Sequence, residues 1–213
     1  MRETHYEKKS PAYGIGHTRR NRILKLVGNI SGKRILDVGC ARGYLGRIIR
    51  EKGNYVAGIE ISSEAANEAR KVLDEVHVMN IEQSWPESLQ RESFDVAIIA
   101  EVLEHLFDPK QVVLEIAKVL KPNGSLIITT PNFMTWTNRL QFLFGRFKYQ
   151  DQGMFDFGHI RWFTYRYLES VLKESGFEIE REEHIIFPGK LTKILKRWPG
   201  IFAFQFIVKA RKI

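Results

Sequence analysis

Apolar residues in this chain fall into short runs separated by helix-compatible stretches, the alternation that builds a parallel sheet. Ile35, Leu36 and Val38 make the first run, over 34–39. A second covers 55–61 and closes on Glu60; the third is Val76–Met79, the fourth Phe94–Ile99 and the fifth Ser125–Thr130. Helical signals lie between them. A helix is expected over 43–52, and Ser62 is a hydroxyl N-cap ahead of Glu64, Ala65, Ala66 and Glu68. Asp108-Pro109 opens a third helix, with proline at its first position and a core-facing stripe of Val112, Val113, Ile116, Ala117 and Leu120. Residues 121–124 then read as a turn. Thr164 caps a helix over 165–175 that Gly176 ends, and runs at 177–187 and 201–209 supply strands six and seven. Ahead of the sheet, Thr18–Val27 sets Ile23, Leu24, Leu26 and Val27 against Arg19, Arg20 and Arg22. The pattern predicts an α/β fold with a doubly wound sheet. We expect one domain over 1–213, with a cap segment at 1–30 and an insertion at 133–160 where the alternation breaks.

Composition narrows the class. With 213 residues, 44% of them hydrophobic, the chain can bury the core of one α/β domain. A single cysteine, Cys40, forbids an internal disulfide and suits a reducing, cytoplasmic compartment. No signal-peptide pattern or membrane-length apolar run is expected. The net charge of +8 is uneven. Residues 1–33 carry eight lysines and arginines against two acids, 34–145 twelve against fifteen, and 146–213 thirteen against eight. An acidic middle between basic flanks fits an anionic acceptor, and fits solubilising surface charge equally.

The stretch Arg34–Gly46, RILDVGCARGYLG, joins strand, glycine-bearing turn and helix. Gly39 permits a sharp turn and close approach of a ligand, and the helix start offers N–H groups. Glu60, about 20 residues on, stands where an acid hydrogen-bonds a ribose diol. ILDVGCARG resembles motif I of the class I S-adenosylmethionine methyltransferases, usually hhDhGxGxG, with Ala41 in place of the middle glycine. The resemblance spans roughly 34–131. It implies a Rossmann-like sheet of seven strands in order 3-2-1-4-5-7-6, with strand seven antiparallel, and S-adenosylmethionine as cofactor. It further implies cofactor contacts from Asp37, Gly39, Cys40, Ala41, Gly43 and Tyr44. Glu60 and Ile61 would meet the ribose, Asn80 and Ile81 the adenine, and Ala100 and Glu101 the edge beyond strand four. Asn80 stands where an aspartate is usual; its amide oxygen can still accept the adenine hydrogen bond.

Chemistry should sit beyond strands four and five. If 101–105 is helical, Glu101, Glu104 and His105 share a face as an acid/base cluster or a hard-metal site. Glu-x-x-Glu-His with the later His159 resembles the metal motif of small-RNA 3′-terminal 2′-O-methyltransferases. By that resemblance Glu101, Glu104, His105 and His159 would hold a divalent Mg or Mn ion. Without a metal, His105, His159 and Glu101 stay the catalytic candidates, His105 as general base; a structural role or cofactor contact is the third reading, with Glu104 on a helix surface. Similar EHL stretches occur in ubiquinone-biosynthesis O-methyltransferases and in surface-glycan methyltransferases, and PNF…RLQFLFGR resembles the MetW family. Together these imply O-methylation of a small-molecule, glycan or lipid-linked acceptor. Methylation of an RNA end, making nucleic acid the partner, and a non-catalytic S-adenosylmethionine- or partner-binding module are the competing readings. The aromatic, basic insertion (Trp136, Leu140, Phe142, Leu143, Phe144, Phe147, Tyr149) builds a lid and pocket, a homodimer contact or a membrane-surface patch. Arg161 is placed to meet an anionic group or to form a structural ion pair.

Overall fold

A computed structural model describes residues 16–87, 89, 93–150, 155–186 and 192–213. The first half of the expected cap segment, with Tyr6 and Tyr13, lies outside the described residues. Helix α1 (His17–Val27) precedes β1 (Arg34–Val38), α2 (Tyr44–Arg50), β2 (Tyr55–Glu60), α3 (Ser63–Ala69), β3 (Glu75–Val78) and β4 (Phe94–Ala100). A 3₁₀ turn at Leu103–His105 leads to α4 (Pro109–Val119), β5 (Leu120–Pro131), α5 (Trp136–Leu143) and α6 (Tyr165–Glu174). The chain continues through β6 (Phe177–Glu182), β7 (Ile185–Ile186), α7 (Thr192–Leu195), α8 (Pro199–Phe202) and β8 (Ala203–Lys212).

The sheet has the expected order, β3-β2-β1-β4-β5-β8-β6, with β8 antiparallel to both of its neighbours. Seven strands form that path, and among the described residues a short eighth, β7, pairs with β8 beside it. The expected sixth strand breaks at Glu183–His184, where two buried polar side chains leave the edge, and β7 resumes pairing with β8. The turn expected at 121–124 survives as an irregularity inside β5: Leu120 already pairs with Phe94, and Asn123 is left-handed at φ 59°.

Alternation along each strand feeds two cores, as a sheet covered on both faces requires. Ile35, Val56, Ile98, Ile127 and Ile207 pack with Ile23, Leu26 and Val27 of α1 and Leu45 and Ile49 of α2. Leu36, Val38, Ile59, Ile99 and Ile128 face the other way, against Val112, Val113 and Ile116 of α4 and Leu168 and Leu172 of α6. The caps read from sequence form as written. Ser62 Oγ accepts from the Ala65 N–H, Asp108 from Gln111 and Thr164 from Tyr167. Helix α1 is fastened by charge as well as by packing: Glu183, 8% exposed, takes Arg22 at 2.6 Å and Lys25 beside it.

Two glycines set the turn after β1. Gly39 has φ 75°, and a Cβ there would lie 2.5 Å from Val102 Cγ2; Gly43 has φ 76° and would meet Val72 Cγ2 at 2.8 Å. The Gly39→Ala variant therefore combines left-handed strain with overpacking. We expect it to lose about 2–4 kcal/mol, read as a lowered chemical-denaturation midpoint with unchanged slope.

Candidate active site

Parallel strands leave their carboxyl ends at one edge, and that edge collects the polar residues singled out in the sequence. Asp37 lies in β1, Glu60 ends β2, Asn80 follows β3 and Glu101 follows β4. The loop after β1 closes on itself. The Gly39 and Cys40 N–H groups both donate to Ile59 O, and Gly43 N–H donates to Cys40 O. Glu60 bridges the two strand ends, accepting from Ala41 N–H and Ser62 N–H, each at 2.9 Å. Each carboxylate oxygen thus keeps a lone pair that a hydroxyl can use. Ala41 occupies φ 48°, a left-handed conformation that a glycine would take without strain. Tyr44 and Ile61 flank the loop with their side chains exposed, while Cys40 is buried against Gly58. Burial, then the Asp37 and Glu60 carboxylates, push the Cys40 thiol upward, away from nucleophilic use. Asn80 Oδ1 accepts from Glu82 N–H at 3.0 Å, and the Trp85 indole donates to Ile81 O at 3.0 Å.

Beyond β4 the geometry departs from the expected helix. Glu101 sits at φ 57°, and only Leu103–His105 coil, as a 3₁₀ turn. The (i, i+3, i+4) face does not form, and Glu101 points elsewhere. Its carboxylate accepts from Thr129 Oγ1 at 2.8 Å and pairs with Arg19 of α1 at 3.3 Å. Arg19 Nε also donates to Gln205 of β8 at 3.1 Å, so this guanidinium ties α1 to the end of β4 and to β8.

Glu104, His105 and His159 do converge, each offering a ligand atom within 4.8 Å of the others. Glu101 is not in that group. The two imidazoles lie 4.8 Å apart, centroid to centroid. The segment carrying His159 is latched to the turn. Ile160 and Arg161 N–H both donate to Glu104 O, at 2.9 and 3.0 Å, and Gly158 O accepts from His105 Nδ1 at 2.8 Å. A carbonyl can only accept, so His105 carries its proton on Nδ1, which makes Nε2 the basic nitrogen of the neutral ring. Arg161 forms no ion pair among the described residues; its guanidinium donates to Phe107 O at 2.9 and 2.5 Å as a strut.

Glu104 is not a surface residue but 2% exposed, and neither carboxylate oxygen has a hydrogen-bond partner. Burial, then the Glu101 charge, drive its pKa well above the carboxylate range, weakly opposed by its own backbone N–H, Arg19 and the Thr130 hydroxyl, none in good hydrogen-bond geometry. Asp37 is buried as well. Desolvation and then Glu60 push it up to about 7, against the Gly46 N–H. Glu82, which the spacing did not mark, anchors the turn by accepting from Phe107 N–H at 2.6 Å and Asp108 N–H at 3.2 Å. Nothing local in the sequence distinguishes it from a surface acid. A concavity of about 250 Å³ lies at the opposite end of the strands, lined by Lys33, Asp95, Lys121 and Lys209. Lys121 and the Arg34 N–H already neutralise Asp95 there, and none of the site residues borders it.

Comparison with known proteins identifies relatives of the chain and of its fold. A family profile described as a methyltransferase domain matches residues 15–182. The ubiquinone biosynthesis O-methyltransferase of Idiomarina loihiensis is 34% identical over 126 residues, covering 57% of this chain and 52% of that protein. Its counterpart in Pasteurella multocida is 30% identical over 135 residues, covering 57% and 56%. The chain thus spans about half the length of the curated relatives it matches. A crystal structure of an S-adenosylmethionine-dependent methyltransferase from Mesorhizobium loti shares the fold, with TM-score 0.68 at 19% identity over 92% of this chain and 99% of that one.

The raised Asp37 pKa has a signed consequence. The folded state holds this proton more tightly than the unfolded chain, so the contribution of Asp37 favours folding at low pH and is lost as pH rises from about 4 through about 7. We expect Asp37→Asn to melt increasingly above the wild type across that window, followed by thermal unfolding at stepped pH.

Proposed function

The chain belongs to the class I S-adenosylmethionine-dependent methyltransferase family, and on that premise we propose that it methylates an oxygen of a small hydroxylated acceptor. The observation that carries this reading is the convergence of His105, His159 and buried Glu104 on the sheet edge that also holds the motif I loop and Glu60. The residues there fit the cofactor. Glu60 retains acceptor capacity for a ribose diol, Asn80 offers an amide oxygen at the neighbouring strand end, and the turn at Gly39–Gly43 is the expected motif. S-adenosylmethionine supplies an electrophilic methyl group when bound.

The chain's own work is to align the acceptor and move one proton. Nε2 of His105 takes the hydroxyl proton as the new C–O bond forms, while Gly158 O holds the Nδ1 proton and the ring's orientation. His159 lies beside it with its ring tilted by 59° and would steady the acceptor or share the charge. Glu101, tied to Arg19 and Thr129, closes the cofactor side. Residues 133–160 serve in this reading as the lid over the acceptor, and a glycan or lipid-linked hydroxyl fits it as well as a free small molecule.

A second reading is favoured by one observation: Glu104 is buried with both oxygens unpartnered beside two imidazoles. That donor set of one carboxylate and two nitrogens fits a divalent ion such as Mg or Mn. Glu104, His105 and His159 would hold it, and it would lower the pKa of an acceptor hydroxyl.

Labelled S-adenosylmethionine and a panel of hydroxylated acceptors test both. We expect transfer to at least one acceptor, with His105→Ala lowering kcat by about 10²–10⁴-fold and leaving cofactor affinity unchanged. No incorporation on any hydroxyl, with intact cofactor binding, sinks the reading. Turnover indifferent to EDTA removes the metal; turnover lost to EDTA and restored by Mn²⁺ supports it. Glu60→Ala should weaken the heat of S-adenosylhomocysteine binding to at least about tenfold poorer affinity, since it deletes charge-assisted hydrogen bonds.

A further inference from the structure

We infer that the aromatic, basic rim built by residues 133–149 and 193–198 is a docking surface for an anionic phospholipid bilayer. Helix α5 and the chain after it bury one side and present the other. Phe133, Phe142, Phe155 and Trp162 contact one another with ring centroids 4.6–6.1 Å apart and form a fixed base. Outward from that base stand Leu140, Leu143, Phe144 and Tyr149, with Leu143 75% and Phe144 71% exposed, while half-exposed Phe147 packs on the base against Phe155 at 5.0 Å. Around α7 and before α8, Ile194 and Trp198 are likewise more than half exposed. Exposed apolar side chains grouped in this way mark an interaction surface.

Both segments leave the same end of the sheet. Pro131 at the end of β5 pairs with Gln205 near the start of β8, and Asn132 Nδ2 donates to Gly200 O and Ala203 O. This end also carries the site, since Ala100 of β4 pairs with Thr129 of β5. The charges select the occupant. Arg139, Arg146, Lys148, Lys193, Lys196 and Arg197 are all exposed, and none makes an ion pair among the described residues. Residues 133–150 and 192–202 contain no Asp or Glu. A second copy would set like charge against like charge, whereas anionic headgroups complement this rim. Leucine and isoleucine cannot stack on bases, so the apolar part favours an acyl interior over a nucleic acid. Aromatic rings at headgroup depth beside lysine and arginine are the arrangement an interface favours.

Vesicle co-sedimentation tests this with the whole protein and neither cofactor nor acceptor, so its result is separate from that of methyl transfer. We expect binding to phosphatidylcholine vesicles containing phosphatidylglycerol, little binding to phosphatidylcholine alone, and weakening by salt. Leu143→Glu with Phe144→Glu should cost at least about tenfold in partition, and so should Lys196→Glu with Arg197→Glu on the separate segment. Both pairs are exposed, and unchanged melting shows that the fold is kept; if one pair unfolds the protein, the other still decides. Equal binding to both vesicle types, no binding to either, or losses in neither variant overturns the inference. A concentration-dependent dimer in sedimentation that the same substitutions abolish also overturns it, in favour of a second copy, and retention on single-stranded RNA in place of anionic vesicles overturns it in favour of nucleic acid.

Discussion

Four carboxylates crowd one edge of this sheet, and the low polarity around them governs how that edge is built. Asp37, Glu60, Glu101 and Glu104 stand at or just beyond the ends of β1, β2 and β4. Like charges in poor solvent must be hydrogen-bonded, paired or neutralised. Each is handled differently. Glu60 takes two backbone N–H groups, Glu101 takes Thr129 and Arg19, and Asp37 leans on Gly46 with its proton held longer. Glu104, buried beside two imidazoles, is left with its proton held well above the carboxylate range, with only its own backbone N–H, the Arg19 charge and the Thr130 hydroxyl opposing that. The loop geometry follows from these settlements, because the same hydrogen bonds that satisfy the acids close the turn after β1 and join it to β2.

The fold was largely legible because it is written in local signals. Strand runs, the three side-chain caps at Ser62, Asp108 and Thr164, and the glycine turn after β1 depend on residues adjacent in the chain. The break at Glu183–His184 was not legible, since it depends on Arg22 and Lys25 reaching from α1 to claim a buried acid. The site divides along the same line. His105 and His159 were marked by type and position, and the structure brings their rings together. That Glu101 turns away from them follows from a left-handed backbone and from Thr129 and Arg19, partners 28 and 82 positions distant. Glu82 and Arg161 brace the turn through backbone groups of Phe107, which leaves no mark on spacing.

The site and the apolar rim share one foundation. The segment that carries His159 also carries Phe155, Phe157 and Trp162, and it is latched to the turn by hydrogen bonds from Ile160 and Arg161 to Glu104 O. A shift of the aromatic base would therefore pull on the imidazole pair. Coupling of this kind needs no long pathway, only a short stretch of chain gripped at both ends.

Strand β8 is made after both strands that flank it. While a ribosome is still producing residues 203–212, the flank of β5 lies open and β6 and β7 have no strand partner, so one side of the sheet waits on ten late residues. Arg19 and Glu183 wait with it, because Gln205 and the Ile207 carbonyl that bind them arrive in the same strand. Helix α1 can pack on Ile35, Ile98 and Ile127 as soon as those strands exist, but its polar fastening to β8 closes only when Gln205 and Ile207 have been made.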